Sequence, residues 1–312
     1  MKIIVTGALG HIGSRLIRNL PGMFPGSDIV MIDNMLTQRY CSLFDLPAEG
    51  RYRFIEDDVL LCDLDILLQG ADAVVHLAAI TDAANSFDNK DAVEMVNFKS
   101  TERIARSCVK NNCALIFLST TSVYGTQEDI VDEDCSTADL KPQSPYAESK
   151  LKAELMLKEM GNSEGLRFTT LRFGTIFGIS QGMRFHTAVN KFVWQACMGK
   201  PITVWRTAMD QKRPYLDLGD AVNALGYVIK HGHFDTQTYN VVTINAAVRE
   251  ILEIINHFIG DVSVELVDTR IMNQLSYNVS RRKFEALGFT FKGDLEQGIT
   301  QSIGLLRQAR SF

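Results

Sequence analysis

The chain opens Met1-Lys2-Ile3-Ile4-Val5-Thr6-Gly7-Ala8-Leu9-Gly10-His11-Ile12-Gly13 and continues Ser14-Arg15-Leu16-Ile17-Arg18-Asn19-Leu20. Lys2 to Thr6 has the apolar, β-branched pattern of a short buried strand. Ile12, Leu16 and Leu20 stand at i, i+4 and i+8, one face of a helix. Glycines 7, 10 and 13 join the two. Glycine at a strand–turn–helix junction permits a tight turn, close approach of backbone to a pyrophosphate and close helix–strand packing. The helix N-terminus adds unpaired N–H groups and the positive end of its dipole. The spacing is Gly-x-x-Gly-x-x-Gly, not the usual Gly-x-Gly-x-x-Gly, so the glycines alone are a weak signal. The next apolar run, Ile29-Val30-Met31-Ile32, strengthens it by ending in Asp33, twenty positions after Gly13. A carboxylate there meets the adenosine ribose hydroxyls and repels a 2′-phosphate, which favours NAD over NADP. Gly7, Gly10, His11, Ile12, Gly13, Asp33 and Asn34 are the expected cofactor residues of this stretch.

The remaining apolar runs extend the pattern. Tyr52 to Glu56 reads as a third strand, and Asp58 with Val59 just after it is placed to meet adenine. Ala73 to His76 is a strand that passes into Leu77-Ala78-Ala79, whose small side chains let a cofactor lie against the sheet edge. His76 itself reads as a core histidine. Ala92 to Asn111 has helical spacing and includes Asn97, also assigned to the cofactor site. Leu115 to Leu118 is a strand that delivers Ser119-Thr120-Thr121-Ser122 at its end. Ser144-Pro145 starts another helix, with serine as N-cap and proline at the first helical position. Phe168 to Phe173 is the next strand; Ser119 and Phe173 join the expected cofactor set.

Strands alternating with helices define an α/β fold with a doubly wound parallel sheet, the Rossmann arrangement, whose ligands bind at the carboxyl ends of strands. From Gly174 the alternation is lost. Residues 1–173 are therefore expected to form the NAD-binding domain. Residues 174–312 are expected to form mainly a smaller C-terminal α/β substrate lobe, with some elements returning to the Rossmann sheet.

Composition limits the alternatives. The 312 residues are 46% hydrophobic and 22% charged, with net charge −5. That is an ordinary globular balance, and no basic tract suggests nucleic acid as a partner. The six cysteines form no Cys-x-x-Cys pair, so no metal site is expected and a reducing compartment is. Met1 runs straight into the first strand, and no apolar run reaches membrane-spanning length. A cytoplasmic protein without a membrane partner is the expectation.

Tyr146 and Lys150 are four apart in the helix that starts at Pro145, hence on one face. A free tyrosine has a pKa of about 10. A nearby ammonium and a nicotinamide cation would favour its phenolate, making Tyr146 a usable base, while Lys150 also holds the nicotinamide ribose. Thr120, across the cleft at a strand end, is placed to bond the same substrate hydroxyl.

Thr6-Gly7-x-x-Gly10-x-x-Gly13, His76-Leu77-Ala78-Ala79, Ser119-Thr120-Thr121-Ser122-Val123-Tyr124-Gly125 and Ser144-Pro145-Tyr146-x-x-x-Lys150, in that order, resemble the extended short-chain dehydrogenase/reductases, and more narrowly the nucleotide-sugar epimerases and dehydratases. The resemblance spans nearly the whole chain. It implies one tightly held NAD, a nucleotide-diphosphate sugar in the C-terminal lobe, and a homodimer packed through the Ala92–Asn111 helix and the helix of Tyr146. Thr120, five positions before Gly125, corresponds to the catalytic hydroxyl. The 4,6-dehydratases follow it with Asp and Glu, and the decarboxylases keep a Glu at the second position; here Thr121 and Ser122 stand there. Hydroxyls do not replace carboxyl acid–base groups near pH 7. Epimerisation or plain oxidation and reduction at C4 remain.

For the substrate, Arg172 to Gly178 is similar to the strand after the catalytic helix, with Thr175 where many relatives have Asn. Asn190 corresponds to a residue touching the nucleotide phosphates, and Val204, within Pro201 to Trp205, to the segment lining the base. Arg213 corresponds to the arginine that grips the diphosphate, a task suited to its forked donors. Arg270 is expected to stand in for a phosphate-binding arginine that relatives place where Leu275 is. Thr121 and Arg184 complete the expected substrate residues. The function implied is an NAD-dependent nucleotide-sugar 4-epimerase. A nucleotide-sugar 4-dehydrogenase or 4-ketoreductase is the alternative on the same scaffold. A non-catalytic NAD-sensing regulator is more remote, because such proteins often lose the tyrosine–lysine pair kept here.

Overall fold

A computed structural model describes residues 1–83, 85–125, 130–268 and 276–309. In chain order its strands are β1 (Lys2–Thr6), β2 (Asp28–Asp33), β3 (Arg51–Glu56), β4 (Ala73–His76), β5 (Ala114–Thr120), β6 (Ile130–Val131) and β7 (Phe168–Phe173). There follow β8 (Thr175–Phe177), β9 (Ile202–Trp205), β10 (Lys212–Asp217), β11 (Thr238–Val241), β12 (Ile244–Ala247), β13 (Val264–Val267) and β14 (Asn278–Val279). The helices are α1 (His11–Met23), α2 (Leu64–Leu67), α3 (Lys90–Val93), α4 (Ser100–Asn111), α5 (Pro145–Glu164), α6 (Ala188–Cys197), α7 (Leu218–His231), α8 (Val248–Ile259), α9 (Arg282–Glu285) and α10 (Leu295–Leu306).

Seven strands form one sheet in the order β3-β2-β1-β4-β5-β7-β11, every pair parallel. The direction of winding reverses between β1 and β4. At such a switch point connections leave to opposite faces and open a crevice at the strand ends. The alternation of side chains along β1 builds both layers of the core. Ile3 and Val5 pack with Leu16, Ile17, Leu20, Ala221 and Leu225, from α1 and α7. Ile4 packs with Ile104, Cys108, Ala153 and Leu157, from α4 and α5.

The later part of the chain is divided between the sheet and a second body. Helix α7 packs with α1, and β11 pairs with β7 with Thr238 opposite Thr170. The rest has its own core of Phe177, Val189, Val193, Val204, Ile251 and Ile299. Its small sheets are β12-β10-β8 and β13-β9.

One element departs from its sequence pattern. Ala92 to Asn111 reads as a single helix, but the helix starts at Lys90 and residues Glu94–Lys99 make a π-helical stretch between α3 and α4. The widened stretch carries Asn97, whose Oδ1 accepts from Ile80 N at 2.8 Å and whose Nδ2 donates to Ile80 O at 2.9 Å and Ser149 Oγ at 3.1 Å. Local apolar spacing does not encode that exchange of helical regularity for two buried backbone partners.

Helix α5 is locked to the sheet by an ion pair. Arg172 Nη2 lies 2.7 Å from Glu154 Oε2, with both side chains about 5% exposed (5% and 6%). Arg172 Nε bonds the same carboxylate at 3.0 Å, and Nη1 donates to the Tyr124 hydroxyl at 2.9 Å. Tyr124 in turn donates to Asn240 Oδ1 at 2.9 Å. Glu154→Ala strands a buried guanidinium and is expected to cost about 3–5 kcal/mol. Urea unfolding checks this, and a loss below about 1 kcal/mol would contradict it.

Candidate active site

The glycine-rich turn closes by contacts that leave no room for side chains. Gly7 adopts φ +63°, and a Cβ there would lie 2.6 Å from Ala78 N. A Cβ on Gly13 would lie 2.5 Å from Gly7 O. The turn thus sits directly against Leu77–Ala79, across the switch point. No side chain caps α1 at Gly10, which leaves its first N–H groups to a ligand. Asp33 is fixed at the end of β2, its Oδ2 accepting from Leu9 N and its Oδ1 from Met35 N, both at 3.0 Å. Asn34 Nδ2 donates to Asp58 Oδ2 at 2.8 Å, which ties the ends of β2 and β3 together. His11 Nε2 donates to Gly178 O at 2.8 Å, and burial drops its pKa to about 4, so it is neutral at pH 7. His76 is a core residue, bridged between the Thr6 and Thr101 hydroxyls at 2.7 and 3.1 Å.

Ser144 caps α5, its Oγ accepting from Ala147 N at 3.2 Å, with Pro145 first in the helix. That start aims Tyr146 and Lys150 across the cleft from β5. Thr120 stands beside Tyr146 on the wall of the cleft, and its Oγ1 accepts from Ser122 N at 3.1 Å. Burial raises the Tyr146 pKa, opposed by the field of Arg184 and then by the neighbouring Thr120 hydroxyl. Arg184 thus joins Lys150 and the nicotinamide, the cations that the sequence reading set beside Tyr146. Lys150 is itself buried, its Nζ 4.8 Å from the centre of the Phe117 ring, and burial lowers its pKa to about 8 against the pull of Glu154.

Two adjoining cavities, of about 350 and 330 Å³, meet at Thr81, Ala83, Thr121, Ser122, Thr175, His186 and Thr187. Each has the size of a small-molecule site. The first is lined by Gly7, Gly10, His11, Ile12, Gly13, Asp33, Asn34, Asp58, Val59, Leu77, Ala78, Ala79, Ser119, Thr120, Thr121, Tyr146, Lys150, Phe173, Thr175 and Arg184. Its glycine cradle, uncapped helix end and fixed Asp33 fit a dinucleotide such as NAD. The second is lined by Val204 and Arg213 together with Thr121 and Thr175. Arg213 lies 5.6 Å from the centre of the Tyr277 ring, and the Tyr277 hydroxyl donates to Thr121 O at 3.2 Å.

Two of the described residues are not brought to these walls. Asn97 is engaged with Ile80, as described. Asn190 is fully buried in α6, accepting from Gly178 N at 3.3 Å and donating to Arg184 O at 3.0 Å. Both ends of its amide are used on backbone, so it lines neither cavity and holds the Gly178–Arg184 segment instead. Arg270 lies outside the described residues. Conversely, Arg39, Thr81, His186 and Thr187 line the first cavity without having been expected there. A basic residue in the polar stretch after Asp33 was the only hint of Arg39, and nothing in local spacing marked the others.

The chain belongs to the NAD dependent epimerase/dehydratase family, whose model matches residues 3–242. A Bacillus subtilis (strain 168) protein described as an uncharacterized UDP-glucose epimerase, YtcB, is 29% identical over 319 residues, spanning 98% of each chain. An Arabidopsis thaliana trifunctional protein, RHM1, whose functions begin with UDP-glucose 4,6-dehydratase, is 27% identical; it matches 97% of this chain, which spans only 46% of its length. Among solved structures, a UDP-glucuronic acid 4-epimerase from Bacillus cereus, with UDP-glucuronic acid and NAD, superposes with TM-score 0.90 at 24% identity, over 99% of this chain and 100% of that one. MoeE5 with UDP-glucuronic acid and NAD superposes with TM-score 0.86 at 25% identity, over 99% of this chain and 100% of that one. The resemblance, the doubly wound fold and NAD as cofactor agree with the sequence reading, and the chain is an NAD-dependent enzyme. Among the described residues no helix is long and apolar enough to cross a membrane.

The lowered pKa of Lys150 carries a pH signature. Its charge is present below pH 8 and lost as pH rises through that value. NAD affinity, measured by calorimetry, is expected to weaken roughly tenfold between pH 7 and pH 9, the change that about 1.4 kcal/mol represents. In Lys150→Met it should be weaker at pH 7 and nearly independent of pH. An unchanged wild-type affinity across this range would contradict the assignment.

Proposed function

We propose that this chain is a UDP-sugar 4-epimerase in which Tyr146 is the base. The observation that carries the reading is the gathering of Thr120, Tyr146 and Lys150 on the wall of the first cavity, next to Thr121 and Ser122 where the two cavities meet, with Lys150 buried one turn after Tyr146 on the same helix. Thr120 and Tyr146 receive the sugar 4-hydroxyl. Tyr146 removes its proton as C4 is oxidised and returns the proton when C4 is reduced on the opposite face. Bound NAD supplies the reversible hydride chemistry at C4. Lys150 holds a positive charge beside the dinucleotide ribose, and the glycine turn and Asp33 fix its adenosine half. The second cavity takes the nucleotide, with Val204 beside the base and Arg213 on the diphosphate.

The carboxyl pair of a dehydratase has no counterpart here, since Thr121 donates to Phe173 O at 3.3 Å and Ser122 is its neighbour. The choice of uridine follows the relatives, whose names carry UDP-glucose or UDP-glucuronic acid. Arg184 suits a sugar with a carboxylate. It bonds Thr81 Oγ1, its buried Nε has no hydrogen-bond partner among the described residues, and its field reaches Tyr146. A UDP-uronic acid is therefore the first substrate to try.

We also infer a homodimer. Met95, beside α3, is 49% exposed and Leu155, on α5, is 57% exposed, on the two helices the family resemblance pairs. Leu155→Glu should convert a dimer to monomer in light scattering. A wild-type monomer would count against it. All six cysteines are free thiols, which suits the cytoplasm.

The test of the reaction is incubation of the purified protein with UDP-sugars, without added cofactor, followed by mass spectrometry and proton NMR. The expected product has unchanged mass and inverted C4 coupling. A product differing by two hydrogens, formed only with added NAD or NADH, would identify a dehydrogenase or reductase instead, and loss of water would overturn the reading of Thr121 and Ser122. Tyr146→Phe should lower kcat by about 10²–10⁴-fold while NAD stays bound. Near-wild-type turnover of that variant would refute its role as base.

A further inference from the structure

Two chain segments close on the glycine-rich turn from outside the opening motif. One is Gly178–Arg184, after β8. Besides accepting from His11 at Gly178, this segment donates from Ser180 Oγ to His11 O at 2.8 Å and from Gly182 N to Ser14 Oγ at 2.9 Å. Cys41 Sγ donates to Gln181 O at 3.3 Å. Gly182 passes so near the turn that a Cβ on it would lie 2.3 Å from Leu9 O and 2.5 Å from Gly10 O. The segment is a strap hooked onto the start of α1.

The other is the loop after β2, which places Arg39 over the same turn. Its Nη1 is 3.9 Å from where a Cβ of Gly10 would be. The side chain is half-buried and lines the first cavity. Among the described residues it makes no hydrogen bond or ion pair. Burial works against its charge, and Asp33 is the acid whose field favours it. Arg184, at the far end of the strap, lies in the repulsive field of Arg39, and the fields of both arginines reach His11 at the N-terminus of α1. The Arg39 guanidinium thus stands over the positive end of the α1 dipole at a partly buried spot, within the field of a second cation, Arg184. Like charges in low dielectric are unfavourable unless an anion joins them. A diphosphate, with two negative charges and acceptor oxygens for forked donors, is the matching chemistry.

We propose that Arg39 is a further cofactor-binding residue, closing over the NAD pyrophosphate against the strap Gly178–Arg184, which must unhook before the dinucleotide leaves. This assignment needs only NAD as cofactor and is independent of the role given to Tyr146.

The test uses the full-length protein and reads NAD binding. Dissociation is followed by stopped-flow displacement of bound NADH fluorescence, and affinity by calorimetry with NAD and with NADP. Arg39→Gln should speed release and weaken NAD about tenfold or more, and Arg39→Lys should recover part of the loss. Ser180→Ala cuts one hook while keeping both charges, so it should speed release and entry together and leave affinity within about threefold. Circular dichroism and the melting temperature exclude misfolding as the cause. Unchanged affinity and release in folded Arg39→Gln would overturn the proposal, as would a loss confined to NADP, which would place Arg39 at the adenosine ribose. Tyr146→Phe, measured alongside, should retain wild-type release. Fast release there alone would point to a fault in the tyrosine assignment and leave Arg39 standing.

Discussion

The site depends on one buried ion pair. Glu154 lies one turn after Lys150 on α5, and its carboxylate meets Arg172 of β7 through two nitrogens. Bringing these charges out of water is costly, so the pair adds little net stability. Its value lies in geometry. The forked guanidinium fixes rotation and height of α5 on the sheet, and Tyr124 and Asn240 carry the bond network on to Ser280 O. The base and ammonium on that helix face the ends of β4 and β5 because the helix has one seating. The same network touches β7 and β11, so the sheet, the catalytic helix and the later chain share a single register.

Around this frame, burial sets the character of the site. It raises Tyr146, brings Lys150 to about 8 and takes Arg184 to about 10. Each shift disfavours the charged form of its group, and each is relieved by an opposite charge placed beside it. Such a cavity is organised for ligands that bring phosphates to the cations and keep water from the tyrosine. Perturbed groups gathered on the wall of one cavity are a physical marker of function apart from any likeness to relatives.

What the sequence disclosed follows from distance along the chain. The glycine turn, the aspartate ending β2, the hydroxyl cluster ending β5 and Tyr146 with Lys150 are local patterns. Each needs only the strand or helix that carries it, and the spacing of residues states it. The order of strands followed, because alternating strands and helices admit few windings. Contacts between distant segments were hidden. Asn190 reads as a phosphate ligand by position, yet the backbone of Gly178 and Arg184 consumes its amide. Arg39 reached the glycine turn through the path of a loop with no periodicity. The field of Arg184 at Tyr146 was also hidden, since that arginine is supplied by a strap thirty-eight positions away in the chain.

The π-helical stretch Glu94–Lys99 has a consequence for how this chain tolerates change in length. A π turn accommodates surplus backbone without displacing the helix ends, so this helix behaves as an α-helix with an insertion retained in place. Removing one residue there would restore regular hydrogen bonding and raise local helical order. It would also turn everything on one side of the cut by about 100°, the angle between successive helical residues. Ser100 and Thr101, which lie 3.3 and 3.1 Å from His76 Nε2, or else Asn97 with its two bonds to Ile80, would swing away. A deletion that improves the helix would thus undo the wall beside the switch point, and the number of residues between Lys90 and Ser100 is fixed by the sheet they serve.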